Sequence, residues 1–258
     1  MPSRVRKITA ALALYCVGAV SDWRSLPNGN LMLADAYLDQ PQCVIWDSAT
    51  VVRWVCTIAR NSHPEGNFGE HSEVLFSDDE GLSWTTGIRL ETEAEPTNSY
   101  GNIVQSTFGR IYVVYNMNLN NVTHFPDGKS FTRDDELGFF VARYSDDGGE
   151  TWSAQRLTLP QRVTRIDREN SFNGSTLIFW SVDQIKVTAG GAAIQGYTKI
   201  GTYMQSAPEQ TFFMSSPNLL TERNASAVTW DVFPDGDDGV AAPNASLQWE
   251  EGHGALLQ

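Results

Sequence analysis

Apolar residues in this chain come in short runs, many alternating with polar ones, and sustained helical spacing is nearly absent. A period of two sends successive side chains to opposite faces of a strand, whereas a helix needs apolar positions three and four apart. The runs at 43–46, 51–58, 73–76, 111–115, 139–144, 176–182, 192–200 and 211–214 are separated by clusters of Gly, Asn, Asp and Pro. They predict strands joined by turns, with Gly190-Gly191 as one hairpin turn. Many strands in succession with no helices between them predict an all-β architecture.

One turn sequence repeats. Ser77-Asp78-Asp79-Glu80-Gly81-Leu82-Ser83-Trp84 is echoed 68 residues later (145 − 77) by Ser145-Asp146-Asp147-Gly148-Gly149-Glu150-Thr151-Trp152. Both fit S-x-D-x-G-x-[ST]-W. Each follows an apolar segment (EVLF, FFVARY) and leads into another (TGIRL, AQRLTL). A degenerate third copy, stretched by an insertion, runs from Ser216 to Thr229-Trp230. The Asp carboxylate of such a loop accepts hydrogen bonds from nearby backbone N–H groups. Gly81 and Gly149 supply positive φ, and Trp84 and Trp152 offer rings to bury between sheets. Ser77, Asp79, Gly81, Trp84, Ser145, Asp147, Gly149 and Trp152 therefore read as scaffold, and the spacing as that of propeller blades.

Composition adds limits. The chain has 258 residues, 41% hydrophobic, with 8 Trp, 12 Phe and 8 Tyr, which is core material for one large domain or two small ones. A net charge of −13 argues against nucleic acid as a partner. Arg4, Arg6 and Lys7 precede the apolar run Ile8 to Val20, which gives way to Ser21. That pattern predicts a signal peptide over residues 1–21, a β domain over 22–258, and a secreted or extracellular protein. No apolar stretch after residue 21 is long enough to span a bilayer. Cys43 and Cys56 fit either a disulfide or two buried thiols. N-x-S/T sequons at Asn121, Asn173, Asn224 and Asn244 accord with export. The four histidines show no metal-ligand spacing, and no metal or cofactor is expected.

The two octapeptides resemble the Asp boxes of sialidases and other BNR-repeat propellers. The likeness runs from about residue 35 onward and includes the stretches AYLDQP, SYGN, DDELGFF, TRIDREN and TERNASAVTWDVFPDGDDG. It implies a sialidase-like β-propeller, six-bladed in the family. At the observed repeat length the chain holds three to four blades, an N-terminal portion. The implied activity is that of a glycoside hydrolase acting on an acidic or other exposed terminal sugar of a carbohydrate or glycoconjugate. A non-catalytic carbohydrate-binding or interaction propeller, or an inactive fragment, is the alternative.

The family uses a Tyr–Glu nucleophile pair, an Asp acid/base and three arginines that grip a substrate carboxylate. Its first arginine sits in an R-I-P motif on the opening strand, where this chain reads Tyr37-Leu38-Asp39-Gln40-Pro41, without arginine. The acid/base Asp belongs to the loop before the first Asp box. Here that loop, 61–71, offers Glu65, Glu70 and His71, of which Glu70 or His71 is the proton-carrier candidate. Glu250 or Glu251 resembles the Glu that draws a proton from the family's Tyr. Asp39, Tyr100, Arg165, Asp167 and Arg168 are substrate-binding candidates, with Asp167 expected to orient one of the two arginines. A charged network between blades is the plainer reading of 162–170. The segment 133–136 reads as a loop rim.

Overall fold

The structure, a computed structural model, describes residues 29–34, 36–48, 50–202 and 209–243. The signal-peptide reading of 1–21, the Asn244 sequon, Glu250 and Glu251 lie outside the described residues. Strands β1 (Tyr37–Asp47), β2 (Val52–Asn61), β3 (His71–Ser77) and β4 (Ile88–Arg89) form an antiparallel sheet in chain order. Strands β5 (Asn98–Gln105), β6 (Ile111–Met117), β7 (Leu137–Ser145) and β8 (Leu157–Thr158) repeat the arrangement. A one-turn helix, α1 (Arg165–Arg168), precedes β9 (Leu177–Trp180), β10 (Lys186–Val187), β11 (Ala193–Ile200), β12 (Glu209–Ser216) and β13 (Asp231–Phe233). β9 and β10 pair with the two ends of one edge of β11, so 177–187 acts as one interrupted strand beside β11, β12 and β13. Leu137 and Gly138 of β7 pair with Ile178 and Leu177 of β9, joining the second and third units into a nine-stranded sheet. Gly191 turns the β10–β11 hairpin with φ +82°.

The alternation read from sequence is best seen in β6, whose seven positions are all buried. Ile111, Val113, Tyr115 and Met117 join Val55 and Val74 of the first sheet in one core. Tyr112 and Val114 join Phe140, Phe179, Tyr197, Phe212 and Met214 in another. A strand covered on both faces needs apolar residues at odd and even positions alike, and each such side chain contributes roughly 1.5–3 kcal/mol by leaving water. Cys43 and Cys56 stand opposite each other in the β1–β2 ladder and form a disulfide. At a sequence separation of 13, loss of the bridge in a Cys43→Ser/Cys56→Ser variant should lower stability by about 2–3 kcal/mol. Urea unfolding with and without reductant checks this, because only the parent protein should respond to reduction.

The two repeated turns close in the same way. Asp79 Oδ1 accepts from Ser77 Oγ and Ser83 N, both at 2.8 Å, and Asp79 Oδ2 accepts from Ser83 Oγ at 2.6 Å. Asp147 Oδ1 accepts from Ser145 Oγ at 2.8 Å and Thr151 N at 2.9 Å, and Oδ2 accepts from Thr151 Oγ1 at 2.5 Å. Gly81 and Gly149, at φ +85° and +90°, donate their N–H groups to Ser77 and Ser145. The stretched third copy keeps the pattern with Asn for Asp, since Asn218 Oδ1 accepts from Thr229 N at 3.0 Å. All three turns connect the third strand of a unit to its fourth. Neighbouring turns are tied by arginines. Arg53 grips Asp78 and reaches Gly148 O and Glu150, while Arg110 grips Asp146 and reaches Arg223 O. An Asp147→Ala protein should lose about 2 kcal/mol, because three donors lose one charged acceptor; its urea midpoint measures the loss.

Candidate functional site

Strand register separates the two ends of these units. Tyr37 pairs with Asn61 and Arg60 with His71 at one end of the first sheet, while Trp54 pairs with Ser77 at the other. Asn98, Met117 and Phe139 likewise share an end opposite Ile111 and Ser145. The repeated turns therefore crowd one end, and the long 62–70 and 118–136 loops meet at the other. They are stitched together there, with Asn67 bridging to Arg133 and Asp134 N donating to Gly66 O at 3.0 Å, and Asn98 N at the start of β5 donates to Glu70 O at 3.0 Å.

β1 and β5 both carry a bulge as they enter this end, between Asp39 and Gln42 and between Ser99 and Asn102. Each bulge holds a left-handed residue, Gln40 at φ +52° and Tyr100 at φ +56°. A non-glycine in this region re-aims the chain at some cost in strain and is common near functional sites. The bulges bring polar side chains of the opening strands together. Gln42 Nε2 donates to Asn102 Oδ1 at 2.9 Å, and Asn102 Nδ2 donates to Ser181 O, just beyond β9, at 3.2 Å. At Gly101 the strands approach so closely that a Cβ would meet Thr57 Oγ1 at 2.4 Å.

Glu70 lies at the heart of this end, 2% exposed. Its Oε2 accepts from Gly66 N at 2.7 Å and its Oε1 from Ser99 Oγ. Burial, reinforced by the negative charge of Asp135, raises its pKa to about 7 despite the opposing hydrogen bonds from Ser99 and Gly66. Beside it the buried Asp135 accepts from Tyr100 Oη and is clamped by Arg133 at 2.9 Å (Nε) and 2.6 Å (Nη2). Arg133 Nη2 also reaches Glu65 Oε1 at 3.0 Å. Tyr37 donates to Asp39 Oδ2 at 3.1 Å; burial, together with the charges of Asp39, Glu65 and Glu70, pushes its phenol pKa upward. Burial and Asp135 do the same to Tyr100, so both tyrosines stay protonated hydrogen-bond donors at neutral pH. Asp134, at the floor of the 118–136 loop, is raised to about 6 by burial.

The structure brings together Asp39, Glu70 and Tyr100, and adds Tyr37, Glu65, Ser99, Arg133 and Asp135. His71 is tied into the sheet instead, with Nδ1 3.0 Å from Gly69 O and Nε2 3.0 Å from Glu73, which Arg60 also holds. The expected role of Asp167 is corrected. Its buried carboxylate accepts from Thr164 N and Oγ1 and from Lys199 Nζ, not from an arginine. Arg165 and Arg168 turn outward to Asp238 and Asp237. The loop-rim reading of 133–136 is corrected as well, because Asp134, Asp135 and Glu136 are buried. Arg133 and Asp135 escape sequence reasoning because nothing in R-D-D-E says that the first and third residues clamp each other. Among the described residues no cluster of His, Cys, Asp and Glu is arranged to hold a metal ion, and no helix is long and apolar enough to cross a membrane.

No protein-family model matches the chain, and no curated protein matches it. Among solved structures it is similar to a protein of unknown function from Dyadobacter fermentans, with a TM-score of 0.51 and 13% identity over 79% of this chain and 55% of that one. A Hadza microbial sialidase aligns with a TM-score of 0.48 and 12% identity over 76% of this chain and 37% of that one. An ulvan lyase aligns with a TM-score of 0.40 and 14% identity over 68% and 37%. The chain spans little more than half the length of the first of these structures and about a third of the other two. At such identity, the first likeness is one of all-β fold alone.

Proposed function

We propose that this chain is part of a secreted, sialidase-like β-propeller that hydrolyses a terminal glycosidic bond, with Glu70 moving the proton. The units bounded by β1–β4, β5–β8 and β9–β13 would be successive blades, and the repeated turns their Asp boxes on the face away from the site. The observation that carries the reading is the buried Glu70 carboxyl, held by Gly66 N and Ser99 Oγ with a pKa near 7. A carboxyl poised there can protonate a leaving glycosidic oxygen at neutral pH and take the proton back from water afterwards. Glycoside hydrolysis needs a second carboxylate, for which Asp39 at the rim and Glu250 or Glu251 further along the chain are the candidates. Tyr100 and Arg133 keep Asp135 in place beneath the acid. The test is release of 4-methylumbelliferone from a panel of α- and β-glycosides by the secreted protein. Turnover of at least one glycoside is expected. Binding of a sugar without turnover of any would replace hydrolysis by the carbohydrate-binding reading.

A further inference from the structure

The side chains around Glu70 have a definite charge and hydrogen-bonding character. Asp39, Glu65 and Asp135 bring three carboxylates to the end that holds the Glu70 carboxyl, and Arg133 contacts two of them, Asp135 and Glu65. Arg133 is engaged by Asp135 through two nitrogens and by Glu65 through one of them. A sugar carboxylate entering here would meet like charges and an arginine already gripped by two acids. Asp39, at the bulge of β1, accepts from Tyr37 Oη at 3.1 Å and adds a further carboxylate acceptor at this end.

A second observation points the same way. Asn116, 1% exposed, sits opposite Ser99 in the β5–β6 ladder, and its amide nitrogen donates to Asp135 O. That bond fixes the amide orientation, leaving Asn116 Oδ1 buried with no hydrogen-bond partner among the described residues. Gln40 Oε1, on the left-handed residue beside Asp39, is in the same condition. Both atoms are acceptors that call for donors, and a hydroxyl supplies a donor where a carboxylate cannot.

We propose that this site takes a terminal sugar that carries no carboxylate, gripped through its hydroxyl donors by Asp39, Gln40 and Asn116. The inference deepens the glycosidase reading and rests on it for the location of the sugar. The acids hold the rim negative, so anionic sugars are turned away before they reach Glu70, while neutral ones bring hydroxyl donors to the unpartnered oxygens.

Matched pairs of 4-methylumbelliferyl hexosides and hexuronides, with the N-acetylneuraminide added, test it by calorimetric binding to a Glu70→Gln protein and by turnover with the parent. At least one neutral hexoside should bind about tenfold or more tighter than its uronide. In Asp39→Asn that ratio should shrink, and high salt should shrink it in the parent. A uronide or the neuraminide binding as tightly as the neutral sugars would overturn the proposal. Binding of neutral sugars with no turnover would defeat the hydrolase reading and leave the substrate class standing. Failure to bind any of the sugars would overturn both.

Discussion

Replacing Glu91 by alanine should lower the unfolding free energy by about 3–5 kcal/mol, the loss seen when one member of a buried charge cluster is removed. Glu91 follows β4 in the link between the first and second units, and its carboxylate is fully buried. Arg143 of β7 donates to it at 3.1 and 2.7 Å, Arg156 donates at 2.8 and 2.7 Å, and Tyr115 of β6 donates through its hydroxyl. Alanine would leave two guanidinium groups and a phenol in a cavity without their acceptor. Urea unfolding measures the loss. Glu93→Ala, two residues on and exposed, should change stability by no more than about 0.5 kcal/mol. The cluster also predicts a pH dependence. Burial alone would raise the Glu91 pKa, but the bonds from Arg156, Arg143 and Tyr115 outweigh it and hold the value at about 2, against 4.5 when unfolded. The stabilisation is therefore complete above about pH 4.5 and fades as the pH falls towards 2. An unfolding midpoint that is flat over this interval in the parent, or equally steep in Glu91→Ala, would count against the clamp.

Much of the scaffold can be read from the sequence because its signals are local. An Asp that accepts from a backbone N–H four residues on, with glycine between, leaves its mark in eight consecutive letters, so both turns are plain. The third is legible only in outline, since Asn218 closes on Thr229 across eleven positions. β5 is illegible for the opposite reason. Asn98-Ser-Tyr-Gly-Asn looks like a turn, yet every residue of the strand but its last is buried. Its polar groups are satisfied by other segments: Asn98 Oδ1 accepts from Ser72 N, Ser99 binds Glu70, and Asn102 binds Tyr100 O and Ser181 O. Sequence pattern reports which side chains prefer water, whereas it does not report partners thirty or eighty residues away. The same limit governs the site. Glu70 is visible as an acid in the loop before the first turn, but Arg133, Asp135 and Tyr37 join it through the fold. The charges of 165–168 stand out in the sequence and prove to serve ion pairs with 237–238 and a buried Lys199–Asp167 contact.

Glu70→Gln should abolish most turnover while making the protein no less stable at alkaline pH, a combination that a scaffold residue would not give. Removing a general acid costs about 10²–10⁴ in rate, and glutamine keeps the shape and can still accept from Ser99 or Gly66. The stability half follows from linkage. A carboxyl with a pKa of about 7 in the folded state and 4.5 in the unfolded state holds its proton more tightly when folded. Between those values the folded chain binds more protons, so this group's contribution to stability falls as the pH rises from about 4.5 to 7 and is then constant. Forcing the charge onto a buried carboxyl costs on the order of 2–4 kcal/mol, a burden the amide does not carry. Urea midpoints of parent and variant should therefore draw apart above pH 7, in favour of glutamine, relative to their difference at pH 5. In the parent, a rate limited by proton donation from Glu70 should fall as the pH passes 7. Retention of full activity by Glu70→Gln would remove this residue from the chemistry, and a midpoint difference that ignored pH would show that its carboxyl does not titrate near neutrality.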